Sequence, residues 1–140
     1  MTQDKVVPLR GRVPDSEKVT INLGYVDLGR IDLLVQDGFF SNRTDFIRTA
    51  IRNELAKQAE DVARSVERHM LEVGLLELTA ATLEAARAAG ETLHVRVVGL
   101  VRIAPDVTPD LARQTIASIT ALGALQASAE IRTALAGRIR

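Results

Sequence analysis

No cysteine occurs among the 140 residues, which excludes disulfides and thiolate metal sites. Histidine is scarce as well. His69 and His94 lie far apart in the chain, so a transition-metal site would need ligands from two subunits. His69 reads as a surface helix residue and His94 as a strand residue. Gly-rich phosphate loops are missing, because the recurring glycines sit in apolar frames that suit close packing. Ser118 and Ser128 have no histidine at a recognisable motif spacing. No catalytic residue, no metal and no cofactor is therefore expected, and an enzyme is not. No apolar run is long enough to span a membrane, and Met1 to Arg12 carries charges and a proline where a signal peptide would have its apolar core. A soluble, cytoplasmic protein is expected. Charge of one sign is missing too: 18 basic and 18 acidic residues give a formal net charge of zero, which counts mildly against a nucleic-acid binder.

What is present is an apolar chain with a strong local order. Hydrophobic residues make up 46% of the sequence, which rules out a mainly disordered protein, and the length holds one ordinary domain or two small ones. The segment Lys18-Val19-Thr20-Ile21-Asn22-Leu23 alternates with period two and leads into two amphipathic helical patterns joined by Gly38-Phe39-Phe40-Ser41-Asn42. One strand has no partner within such a segment, and a strand with two short helices cannot cover its own apolar face. A second copy is implied. Two such strands paired antiparallel would turn Val19, Ile21 and Leu23 toward the helices and Lys18, Thr20 and Asn22 outward. A two-stranded ribbon of this kind fits the DNA major groove.

The run Ser41-Asn42-Arg43-Thr44-Asp45-Phe46-Ile47-Arg48-Thr49-Ala50-Ile51-Arg52-Asn53-Glu54-Leu55 resembles the second helix of the ribbon-helix-helix superfamily of CopG-, Arc-, MetJ- and ParD-type proteins. The preceding Ile31-Asp32-Leu33-Leu34-Val35-Gln36-Asp37-Gly38 resembles its first helix and turn. The resemblance covers roughly the first 58 residues, and its specificity lies in strand, helix, glycine turn and Arg-Thr-Asp-Phe-Ile-Arg occurring in order. It implies an intertwined homodimer bound to double-stranded DNA. Val19, Ile21, Leu23, Phe46, Ile47 and Ile51 would form the dimer core. Lys18, Thr20 and Asn22 would contact bases: lysine reaches guanine acceptors, threonine serves several bases, and asparagine bonds bidentately to adenine. In isolation the same three residues read as the solvated face of a sheet.

Gly38 sits where the first helix must stop, since glycine takes the left-handed conformation without a Cβ penalty. Ser41 or Asn42 then caps the second helix, Asn42 with Asp45 three residues on or Ser41 through its hydroxyl. Spare amides and the helix dipole at that end suit a DNA phosphate. Ser41, Asn42, Arg43, Thr44 and, on the arm, Arg12 are the candidate phosphate contacts, Arg43 serving either a phosphate or a cross-subunit contact. Arg48 and Arg52 are open to the plainer reading of exposed helix charges. Phe39 and Phe40 read as core and turn packing. All three lysines fall at or before Lys57, while Asp27, Asp32 and Asp37 would have to face away from DNA. Few phosphate contacts and a moderate salt dependence follow.

Four zones result: a flexible arm over residues 1–16, the ribbon-helix-helix module over 17–58, a helical connector over 59–71 and a C-terminal domain over 72–140. Leu55, Ala59, Val62, Val66 and Met70 continue a helical stripe that reads as an extended helix or a jointed pair. The last zone repeats. Val73-Gly74-Leu75-Leu76-Glu77-Leu78, Val98-Gly99-Leu100-Val101-Arg102-Ile103 and Leu122-Gly123-Ala124-Leu125-Gln126-Ala127 share one frame, their glycines 25 and then 24 positions apart. Each precedes a helix start, at Thr79, Thr108-Pro109 and Ser128. Leu93 to Val97 and Ile116 to Ile119 are strand-like runs leading into the second and third frames. The period suits a short solenoid-like α/β repeat, with a small α+β domain of partly accidental repetition as the competing reading.

The expected fold class is α+β, a ribbon-helix-helix module followed by this repeat. The expected function is a sequence-specific transcriptional repressor with a C-terminal domain for oligomerisation or partner binding. An antitoxin bound to a toxin, or a scaffold polymer that does not bind DNA, is the alternative.

Overall fold

Helices and strands are mixed along residues 16–140, the part of the chain that the computed structural model describes, in two units of residues 16–65 and 66–140. Arg12 and all of the expected arm but Ser16 lie outside the described residues. The first unit holds α1 (Tyr25–Gln36) and α2 (Arg43–Lys57), and α3 (Ala59–Arg68) begins within it. Residues 17–24 form no strand in the single chain. That differs from the strand expected over Lys18 to Leu23, and the reason is physical: a strand without a partner has no ladder to make.

Local chemistry sets the ends of the helices. At the end of α1, Gly38 has φ +88, its amide donates to the Val35 carbonyl, and the Phe39 amide donates to the Leu34 carbonyl at 3.0 Å. These are the two bonds of a Schellman turn, and they require the left-handed residue that glycine supplies. Asn42 caps α2, its side-chain oxygen accepting from the Asp45 amide at 2.8 Å, so of the two candidate caps it is Asn42 that serves. The apolar stripe beyond Leu55 is a jointed pair of helices. Gln58 separates them, yet its amide bonds to the Glu54 carbonyl and its carbonyl accepts from Val62, so the ladder continues through the joint.

The helix α3 ends in the same way without a glycine. Leu71 bonds back to Val66 and Met70 to Glu67, with Met70 at φ +52 and largely exposed. A left-handed residue with a Cβ costs about 1–2 kcal/mol, part of which glycine would return as unfolded-chain entropy. Met70→Gly is therefore expected to raise stability by about 0.5–1 kcal/mol, read as a higher urea midpoint at unchanged slope.

The second unit is a parallel sheet in the order β1 (Glu72–Leu78), β2 (Leu93–Ile103), β3 (Ile116–Gln126). Between and after the strands run α4 (Ala80–Ala88), α5 (Pro109–Thr115) and α6 (Ala129–Ala134). Both strand-like runs become the first halves of strands that continue through the glycine frames. Thr79, Thr108 and Ser128 each accept from the amide three residues on, at 3.2 Å, so all three helix starts are capped alike. Pairing brings the frames into register, Gly74 beside Gly99 and Gly99 beside Gly123.

One side of the sheet meets the helices. Leu78, Val95, Val97, Val101, Ile103 and Ile119 pack with Leu83 of α4, Leu111 and Ala112 of α5 and Ile131 of α6 in a single aliphatic cluster. The alternation of strand side chains sends the odd positions of β2 inward and the even ones outward. Thr115, the buried polar residue of this core, is satisfied by donating its hydroxyl to the Leu111 carbonyl at 2.7 Å. Beyond β3 the chain end adds a parallel bridge, Ile139 to Ile119, with backbone bonds of 2.8 Å on both sides. The outer edge of β3 is thereby partly occupied.

Candidate nucleic-acid interface

In the first unit, apolar side chains outnumber the places to bury them. Ile31 is buried, yet Val19, Ile21 and Leu23 are 76%, 58% and 37% exposed, and Leu33, Ile51 and Leu55 are each more than half exposed. Phe46 and Ile47 are half-buried, Phe46 meeting Phe40 edge-to-face at 5.0 Å between ring centres. Phe40 thus packs as expected, whereas Phe39 is largely exposed. Burying a Val, Leu or Ile side chain stabilises by about 1.5–3 kcal/mol. Exposure of so many side by side is the kind of apolar surface that marks an interaction site.

Lys18, Thr20 and Asn22 are exposed and lie in the segment that takes no strand pairing. The start of α2 is more constrained. The Asp45 carboxylate accepts from the Ser41 amide at 2.9 Å while the Asp45 amide is held by Asn42, a reciprocal cap close to a capping box. The first amides of a helix have no partner inside it, which leaves those of Arg43 and Thr44 as the donors at this end.

The Arg43 side chain points elsewhere. Its Nε donates to Asp32 Oδ1 and one Nη to Oδ2, both at 2.8 Å, a bidentate bridge from α2 to α1. Reading along the sequence missed this pair, because Asp32 was weighed only as a charge to be kept from DNA and the two residues stand 11 positions apart. Opposite charges on either side of the glycine turn were the available signal. The hydrogen bonds from Arg43 hold the Asp32 carboxyl below the usual range, Coulomb attraction adding and slight desolvation opposing. The guanidinium is raised by the same bonds. A depressed carboxylate contributes stability above its unfolded pKa and loses it as pH falls through the folded one. Asp32→Asn is therefore expected to lower the melting temperature slightly at pH 7, and the difference should close below about pH 4. A gap unchanged at low pH would remove the bridge from that account.

The second unit offers less chemistry. A cavity of about 410 Å³ lies at the carboxyl ends of β2 and β3, between Arg102 and Arg132. Both are tied into the fold, Arg102 to Gln126 Oε1 at 3.1 Å and Arg132 to the Leu125 carbonyl. His94 Nδ1 lies 3.2 Å from the Ser118 hydroxyl, and His69 is an exposed residue in the turn after α3, so the two histidines do not meet. Among the described residues no His, Asp or Glu cluster could hold a metal ion, and no helix is long and apolar enough to cross a membrane.

An alternating segment, a helix, a glycine turn and a capped second helix, in that order and with their apolar side unfilled, have the layout of a ribbon-forming segment followed by two helices. The chain belongs to the ribbon-helix-helix transcriptional regulator family, whose model matches residues 14–132. No curated protein and no solved structure matches it. The family match runs far beyond residue 58, where the likeness read from the sequence ended, and takes in all three strands of the sheet.

Proposed function

We propose that the protein is a sequence-specific repressor, in which two chains pair their Lys18 to Leu23 segments into an antiparallel ribbon that enters the major groove. The observation that carries this reading is the exposure of Val19, Ile21 and Leu23 beside the family's two helices. Pairing would bury these three against α1 and α2 of both chains, with Phe46, Ile47 and Ile51, and leave Lys18, Thr20 and Asn22 directed at base edges. The amides of Arg43 and Thr44, the Ser41 hydroxyl and the Asn42 side chain then face the phosphates, with Arg12 on the arm. Arg43 serves mainly to fix α2 against α1 through Asp32. The three strand–helix units, stacked through their glycines, support a short solenoid-like repeat acting in assembly.

Footprinting on the DNA upstream of the protein's own gene tests this. Protection over repeated half-sites is expected. With Arg12 the cation among the phosphate contacts, about two phosphates are neutralised per dimer, and affinity should fall about tenfold between 50 and 200 mM salt. No shift even at low salt would sink the repressor reading and favour the scaffold.

A further inference from the structure

The sheet of the second unit has a covered face and a bare one. Successive parallel crossovers share one hand, so a sheet in the order β1-β2-β3 collects its helices on a single side. The other side carries two apolar rows, Val73-Val98-Leu122 and Leu75-Leu100-Ala124, each running straight across the three strands. Val73, Leu75 and Leu122 on the flanking strands are 70%, 57% and 53% exposed, Val98 and Ala124 are half-buried, and Leu100 on the middle strand is buried. Parallel sheets occur almost only with both faces covered.

We infer that this face is covered by the same face of a second copy of the chain. The arginines at its margins are already engaged within the sheet unit: Arg96 donates to the His69 carbonyl at 2.9 Å, and Arg102 to Gln126. The face therefore asks for aliphatic surface and not for an anion or an acidic peptide. Flat aliphatic rows pack against their own kind as two stacked sheets do, and a two-fold axis makes such a patch self-complementary.

Area selects the kind of association. Strands about 4.8 Å apart, with 7 residues in β1 and 11 each in β2 and β3, present roughly 450 Å² per copy, or about 900 Å² for the pair. That is near the lower limit for a specific interface, too small for a tight complex between free chains and adequate once a second copy is held nearby. The ribbon-helix-helix dimer supplies that copy, and to this extent the inference rests on the proposed function. Edge pairing competes less well, since the β3 edge already holds Ile139 and the β1 edge offers only 7 residues.

The absence of cysteine makes the test direct in the full-length protein. Under a two-fold axis along or across the strands, the middle strand lies over its mate, so Val98→Cys places two thiols in opposition. Stacked sheets are about 10 Å apart, too far for a disulfide but within reach of a short bis-maleimide. The V98C protein is expected to cross-link to a covalent dimer nearly completely, and an E91C control, beyond the end of α4, hardly at all. Adding Val73→Lys and Leu122→Lys, exposed positions at which lysine leaves the fold intact, should reduce cross-linking at least tenfold.

Cross-linking of V98C no better than E91C overturns the inference. So does slow thiol labelling in protein that never cross-links and is freed by deleting residues 1–15, which would assign the face to the chain's own N-terminal segment. Footprinting the same V98C protein separates the two readings: a footprint without a cross-link overturns face pairing alone, and a cross-link without a footprint overturns only DNA binding.

Discussion

Gly99→Ala is expected to cost the sheet unit about half of its stability, while Gly74→Ala in the same column costs only the backbone strain. All three frame glycines hold positive φ, +140 at Gly74 and Gly99 and +125 at Gly123, so alanine at any of them costs roughly 1–3 kcal/mol in backbone strain. Space distinguishes them. A Cβ on Gly99 would stand 2.0 Å from the Gly74 carbonyl oxygen, and one on Gly123 2.1 Å from that of Gly99, whereas one on Gly74 meets nothing within 4 Å. The vacant Cβ direction thus points at the preceding strand, and β1 has none before it. Because the obstruction is paired backbone, it cannot rotate away, and overpacking adds roughly 1–3 kcal/mol or more. A unit of this size is stabilised by about 4–11 kcal/mol, so a combined cost of about 2–6 kcal/mol removes about half of it. Urea unfolding followed by circular dichroism should rank Gly74→Ala well above Gly99→Ala and Gly123→Ala. Equal losses at all three positions would mean that strain alone matters and that the contact down the column does not.

That column was legible before any coordinates, as a frame recurring at 25 and then 24 positions. The spacing, the three caps and the turn at Gly38 are local signals, each fixed by a few neighbouring residues, and local signals survive the passage to the fold. What the spacing could not convey is which glycine is crowded, because that depends on the carbonyl of another strand. The Asp32–Arg43 bridge was hidden for the same reason, a contact across a turn that no period reveals. The family match also reaches over the sheet, beyond the residues that carry the likeness in the sequence. Strand, helix and turn near the N-terminus have a recognisable order, but the sheet beyond them reads as an ordinary apolar repeat, and likeness in such residues is too generic to see in one sequence. The strand itself was legible as a pattern and is missing from the single chain, where no described residue pairs with it.

Replacing Lys18, Thr20 and Asn22 together by alanine is expected to abolish specific DNA binding and leave the protein folded and dimeric. Base contacts of this kind are worth about 1–3 kcal/mol each, and two chains would contribute six. The gap between specific and non-specific affinity is typically about 4–10 kcal/mol, so the triple change is large enough to close it, a loss of roughly a thousandfold or more. Affinity for unrelated DNA should fall far less, because phosphate contacts from α2 position the protein without reading sequence. The three side chains are exposed and bury nothing in the chain, so thermal stability without DNA should move by no more than about 0.5 kcal/mol. Alternation supplies the internal control. Ile21→Lys, one residue away on the other face, puts a charge where the two ribbons would pack and should destroy the dimer, with specific and non-specific binding lost together. A ribbon therefore predicts opposite behaviour at neighbouring positions: even residues affect recognition and odd residues affect assembly. If alanine at the even positions dissociates the dimer, or leaves operator affinity unchanged, the segment is not a DNA-reading strand, and the exposed face at Val19, Ile21 and Leu23 must serve some other contact.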